Sequence, residues 1–162
     1  MSIPSPAVRP SVTLAPMRWW DLAEVQGIEA DLFGADGWTA AQFWSELARI
    51  PESRWYIAAR SADGVVGYAG MFLVGPEADV QTIAVARDHQ GLGIGSVLLA
   101  ALIERARDRG ASLLHLEVRA DNDAALALYA RHGFTSDGRR RDYYGRGRDA
   151  VLMTRRLGGS DG

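Results

Sequence analysis

Two stretches of the 162-residue chain carry residue types whose spacing could do chemistry. The first is Gln90-Gly91-Leu92-Gly93-Ile94-Gly95, which leads into Ser96 and an apolar run of helical period. Glycines at such spacing let backbone N–H groups approach an anion. The start of a helix adds unpaired donors and the positive end of its dipole. A pyrophosphate suits this loop; a glycine-rich turn packed against a neighbour is the plainer alternative. The second stretch is Leu-Leu-His-Leu-Glu-Val-Arg, residues 113–119, a strand by composition. Leu114, Leu116 and Val118 share one face, and His115, Glu117 and Arg119 share the other. A strand beside a crossover helix is expected to be buried on both faces, so a carboxylate in its middle needs a reason. Glu117 is then a partner of Arg119, an edge residue, or a general base.

A dinucleotide-binding turn is a rival for the glycine loop, since Glu117 follows at about the distance of a ribose-binding acid. Three features weigh against it. The fingerprint G-x-G-x-x-G needs glycine where Ser96 stands. Four polar residues, Arg87 to Gln90, separate strand from glycine. The elements before the loop alternate like an antiparallel meander rather than like βαβ units.

Composition narrows the chemistry further. All 18 basic residues are arginine against 20 acidic ones, so a lysine Schiff base and a P-loop are excluded and no polyanion-binding balance is evident. The absence of cysteine removes disulfides, thiolate metal sites and a thioester on the protein. His89, His115 and His132 lack metal-ligand spacing, and no metal is expected. No apolar run is long enough to span a membrane, and residues 1–11 have no signal-peptide core. The expectation is a cytoplasmic chain, monomeric or weakly dimeric.

The elements that must position these residues read as β–α–α–β–β–β–α–β–α–β–β. Residues 1–11 and 158–162 are expected to be flexible ends around one domain over 12–157. A strand is predicted at 11–15, then a helix from Met17 to Phe33 with Trp20, Leu22, Ala23, Val25, Ile28 and Leu32 inward. Thr39 caps a second helix that ends before Pro51. Strands 54–60, 65–74 and 79–86 form the meander. Ser96 to Arg109 is helical, with Val97, Leu98, Ala101, Leu102 and Ala106 inward and Arg105 among the solvent-facing residues. Strand 112–120, a helix to Gly133 and a hairpin of 134–144 with 148–157 close the chain. The fold class is α/β: a mixed, mostly antiparallel sheet with helices on both faces and one crossover at the glycine loop.

At this point the chain resembles a family. The segment from Gln90 to Gly95 matches the Q/R-x-x-G-x-G/A acetyl-CoA signature of the GNAT superfamily of N-acetyltransferases. Residues 116–134 (LEVRADNDAALALYARHGF) and 139–144 (RRRDYY) are similar to the branch that acetylates the N-terminal alanine of ribosomal proteins, the RimI type. The resemblance implies acetyl-CoA as co-substrate, bound by Gln90, Gly91, Leu92, Gly93, Ile94, Gly95 and Ser96. A basic residue is frequent in the family where Ser96 stands. Asn122 would touch the cofactor as well as cap its helix, and Ile83, Ala84 and Val85 would pair with the pantetheine arm, the N–H of Val85 polarising the thioester carbonyl. Glu117 becomes the general base and Tyr129 the acid for the leaving thiolate; without the resemblance, Tyr129 is a core aromatic.

The implied acceptor is a protein N-terminus, the N-terminal alanine of a small-subunit ribosomal protein, attacked directly in a ternary complex. A small amine such as a polyamine or antibiotic is the alternative acceptor, and a non-catalytic acyl-CoA sensor the alternative class. Trp38, preceded by Gly37 where the family often has proline, would flank the acceptor groove or plug the core. Tyr143 and Tyr144 alternate across a strand, so at most one would face the acceptor. Seven arginines fall between Arg139 and Arg156, read as a solvated hairpin whose charges strand alternation scatters, with no direct nucleic-acid contact expected.

Overall fold

The computed structural model describes residues 11–158, so the two flexible ends expected from sequence fall almost wholly outside it. The element order matches the expected one. It comprises β1 (Thr13–Pro16), α1 (Leu22–Phe33), α2 (Ala40–Leu47), β2 (Arg54–Ser61), β3 (Gly64–Val74), β4 (Glu77–Val85), α3 (Ile94–Asp108), β5 (Leu113–Arg119), α4 (Asp123–Arg131), β6 (Thr135–Arg140) and β7 (Ala150–Arg156). The seven strands make one sheet in the order β1-β2-β3-β4-β5-β7-β6. Only β4 and β5 run parallel, because α3 carries the chain back between them.

Each sheet face has its own apolar core. On one face, Leu98, Leu99 and Leu102 of α3 and Tyr129 of α4 pack on Ile57, Val66, Met71, Leu114 and Leu116. On the other, Val25 of α1 and Phe43 of α2 pack on Tyr56, Ala58, Tyr68 and Ala84. Burial of each such large side chain contributes about 2 kcal/mol relative to exposure. The second core also holds acids. Asp21 is buried, paired with Arg60 and accepting the Arg18 N–H at 2.8 Å; Glu29 is buried against the Tyr68 hydroxyl.

Several expected positions are corrected. A 3₁₀ turn at Trp19–Asp21 precedes α1 and shifts its phase. Trp20 and Ala23 therefore face solvent, while Leu22 and Val25 go in. Val97 is exposed and not part of the core. Arg105, expected in water, lies over the Trp55 ring at 5.3 Å. Helix α3 starts at Ile94, so Gly95 and Ser96 belong to its first turn. Strand β6 stops at Arg140, which leaves Tyr143 and Tyr144 in the β6–β7 connection.

One irregularity shapes the site. The β3–β4 register shifts after Gly70, where Gly70 pairs with Thr82 and Met71 with Val80, so Gln81 is an extra residue on β4. Such a bulge bends the strand that carries it. The Tyr56 ring lies over Gly70, where any Cβ would fall 2.0 Å from it, and the Tyr56 hydroxyl donates to Gln81 Oε1 at 2.6 Å. Parallel pairing of β4 with β5 covers Glu77, Ala78 and Asp79 against Leu113, Leu114 and His115 and goes no further. Beyond Asp79 the two strands diverge.

Candidate active site

The divergence leaves the second half of β4 without a neighbour on one edge. Ala86 donates to Val66 of β3 at 2.8 Å. Antiparallel backbone groups alternate in direction, so the N–H and C=O of Ile83 and Val85 point to the open edge. The Val85 carbonyl accepts from Gln90 Nε2 at 3.0 Å, which ties the loop to this edge and leaves the Val85 N–H facing the gap. The side chain of Ala84 is buried in the second core and only its backbone neighbours the gap.

The glycine loop ends in an uncapped helix. Gly91 and Gly93 take φ of 78° and 88°, left-handed values that side chains other than glycine's rarely adopt. Gly93 offers no side-chain cap to α3, and the first turn holds no acid. The first intrahelical donor is the Val97 N–H, to Gly93 O at 3.2 Å. The N–H groups of Ile94, Gly95 and Ser96 thus have no helical acceptor. Leu92 is exposed on the loop and Ile94 is buried beneath it. Gly95 differs from the other two: its φ is ordinary, and a Cβ there would sit 3.4 Å from Leu128 Cδ2 and 4.0 Å from Val85 Cγ2. Acetyl-CoA fits these features on two counts, donors for its pyrophosphate at the α3 start and a free strand edge for its pantetheine amides.

Glu117 lies on the face of β5 opposite α3, and it is exposed. The expectation that β5 is buried on both faces fails because α1 and α2 cover β2, β3 and β4 only. Glu117 is not the partner of Arg119, which pairs instead with Asp121 at 2.8 Å. Arg140 Nη1 lies 3.6 Å from Glu117 Oε1. Tyr143 and Tyr144 meet edge to face at 5.0 Å, and both neighbour Glu117. The carboxylate raises the pKa of the Tyr143 phenol; loss of hydration, then Glu117, raises that of Tyr144. Because they sit in a loop, both rings gather at one carboxylate, contrary to the strand expectation.

Tyr129 is buried edge-on against Phe134 at 5.8 Å. Its hydroxyl makes no side-chain hydrogen bond among the described residues. Burial first, and Tyr144 second, push its pKa above the ordinary tyrosine value. Asn122 is the N-cap of α4, its Oδ1 accepting from the Ala125 N–H at 3.1 Å. Trp38 belongs to the second core, 5.2 Å from Phe43 and 6.4 Å from Tyr56, and its backbone N–H donates to Glu29 Oε1 at 3.0 Å. A Cβ on Gly37 would lie 3.1 Å from both Glu29 Cγ and Glu29 O, so proline could not stand there without a shift.

Sequence reasoning did not find four participants. Asp36 and Arg148 pair at 2.9 Å and join the α1–α2 connection to the β6–β7 connection beside this face. Arg140 and Arg148, read as scattered hairpin charges, are thus engaged. Asp79 stands opposite His115 on the Glu117 face. A cleft of about 530 Å³ between α1 and the end of β4 contains none of these residues.

An open parallel fork and an uncapped helix start after a glycine loop suit a coenzyme A-dependent acyltransferase. The acetyltransferase (GNAT) family model matches residues 17–134, and the chain belongs to this family. It is an acetyl-CoA-dependent N-acetyltransferase. The chain is 44% identical over 153 residues to the N-alpha-acetyltransferase RimI of Mycobacterium tuberculosis, covering 91% of this chain and 94% of that one. The crystal structure of the ribosomal-protein-S18-alanine N-acetyltransferase from Escherichia coli superposes with TM-score 0.82 and 32% identity, over 92% of this chain and 96% of that one. Ard1 from Thermoplasma volcanium gives TM-score 0.83 at 26% identity, over 93% and 100%. Among the described residues no helix is long and apolar enough to cross a membrane.

Proposed function

We propose that this chain acetylates the free α-amine at a protein N-terminus, with the N-terminal alanine of a ribosomal protein as acceptor. The observation that carries the reading is Glu117: an exposed carboxylate beside the β4–β5 fork, flanked by two tyrosines from a loop. The printed names of the relatives support the acceptor class.

Acetyl-CoA supplies the thioester carbon that the amine attacks. The amine must be neutral to attack. An α-amine of pKa near 8 is about one-tenth free base at pH 7, whereas a lysine near 10.4 is far less so. Glu117 takes the amine's proton, directly or through water. The Val85 N–H, which faces the fork, donates to the thioester oxygen. Tyr129 holds its proton well into the alkaline range and delivers it to the departing thiolate. The loop from Gln90 to Ser96 holds the pyrophosphate by backbone donors. Tyr143 and Tyr144 border the acceptor's first residues; Trp38 acts from its place in the second core. The chain has no cysteine, so no acetyl-enzyme forms on sulfur, and the proposed transfer is direct within a ternary complex.

Release of CoA thiol is the measurement, since the chain contributes no thiol of its own. An alanine-starting basic peptide is compared with the same peptide blocked at its N-terminus and carrying an internal lysine. Turnover of the free N-terminus alone is expected. Turnover of neither peptide, with acetyl-CoA still bound, overturns the reading in favour of a small-amine acceptor or a sensor.

A further inference from the structure

We infer that Asp79 is a second acceptor-binding carboxylate, holding the incoming amine as its ammonium at the apex of the β4–β5 fork until Glu117 removes a proton. The inference rests on the proposed acetylation of an amine and adds the group that selects its charged form.

Asp79 is the last residue of β4 to pair with β5, opposite His115. Paired residues of neighbouring strands project to the same side, so Asp79, His115 and, two residues on, Glu117 share one face. The Asp79 and Glu117 carboxylates are near enough to act on one another electrostatically.

The other polar groups on this face already have partners. His115 Nδ1 meets Thr154 Oγ1 at 2.9 Å, Thr154 donates to Asp137, and His115 Nε2 lies 3.7 Å from Glu77. Glu117 has Arg140. Asp79 has no hydrogen bond or ion pair through its side chain among the described residues. Partial loss of hydration raises its pKa, His115 opposes this, and Glu77 and Glu117 raise it further. Repulsion among these carboxylates is relieved by a cation arriving between Asp79 and Glu117. Most α-amines are cations at neutral pH, so the first encounter is with the ammonium. A partner at the fork would place it beside both the base and the strand edge assigned to the thioester.

The test compares wild type with Asp79→Asn and Asp79→Ser, each checked for acetyl-CoA binding by calorimetry. With the alanine-starting peptide, the KM for peptide is expected to rise about fivefold, the size of a partly exposed ion pair, while kcat and the KM for acetyl-CoA stay within about twofold. An unchanged peptide KM, or a fall in kcat alone, overturns the inference, since a merely structural aspartate would not split the constants this way. If wild type turns over no peptide N-terminus, the functional reading fails separately. Titration of n-butylamine onto the CoA-bound proteins then decides the role of Asp79: weaker binding to both variants sustains it, and equal binding overturns it.

Discussion

The Tyr56 hydroxyl donates to the Gln81 side chain at 2.6 Å, and Gln81 is the residue by which β4 exceeds β3 in their pairing. A buried tyrosine of the second core thereby holds the bulge that lies just past Asp79, the last residue of β4 to pair with β5. Tyr56→Phe keeps the ring that lies over Gly70 and removes only the donor. Stability should fall by about 1 kcal/mol in denaturant melts, with the KM for acetyl-CoA rising as the bulge loosens. An unchanged acetyl-CoA KM would mean that the fork does not depend on this hydrogen bond.

Glu117 and Tyr129 should each cost activity when the reacting group alone is removed. Glu117→Gln is expected to lower kcat/KM for peptide by about 10²-fold or more, with acetyl-CoA affinity unchanged because the residue lies off the glycine loop. Tyr129→Phe preserves the contact with Phe134 and should lower kcat by a similar factor. Burial raises the Tyr129 pKa, so its neutral form persists to higher pH than in free tyrosine. The kcat of wild type should accordingly stay level through pH 9; a decline between pH 8 and 9 would count against Tyr129 as the acid.

His89 lies between two carboxylates, Nδ1 at 3.0 Å from Asp88 and Nε2 at 3.1 Å from Asp63. Two acceptors on the two ring nitrogens favour the imidazolium, and the pKa is raised by Asp88 first and Asp63 second. The bridge ties the β2–β3 turn to the turn before the glycine loop. A folded-state pKa above the unfolded one near 6.5 contributes stability that is full below about pH 6.5 and is lost as pH rises through the folded value. The melting temperature should therefore decline more steeply above neutrality in wild type than in His89→Gln. Parallel curves for the two proteins would remove the bridge from the account.

Periodicity made the element order legible, because helices and strands bury one stripe each and the stripes survive in the sequence. The glycine loop was legible for a related reason: Gly91 and Gly93 occupy left-handed positions that few other residues tolerate. What alternation could not reveal is a change of phase. The extra residue Gln81 and the 3₁₀ turn at Trp19–Asp21 each shift the pattern locally, which is why the outward Trp20 was misread and the fork went unseen. The composition around Tyr143 and Tyr144 suits a strand, but they lie in a loop from which both neighbour Glu117. Asp79 and the Asp36–Arg148 pair depend on contacts between distant segments, for which a single sequence holds no local signal.

Gly95 separates the needs of the fold from those of the cofactor. It lies in the first turn of α3 with an ordinary φ, and a Cβ there would meet Leu128 at 3.4 Å, a normal contact. Replacement by alanine inside a helix stabilises by up to about 1 kcal/mol, so the fold alone does not ask for glycine. The added methyl would project between Val85 and Leu128, into the opening through which a chain paired to the β4 edge must pass. Gly95→Ala should thus melt at a higher temperature than wild type and show a raised KM for acetyl-CoA. Gly93→Ala provides the contrast: at φ 88° the methyl strains the backbone itself, so that variant should lose stability as well as affinity. If Gly95→Ala bound acetyl-CoA as wild type does, the pantetheine path along β4 would have to lie elsewhere.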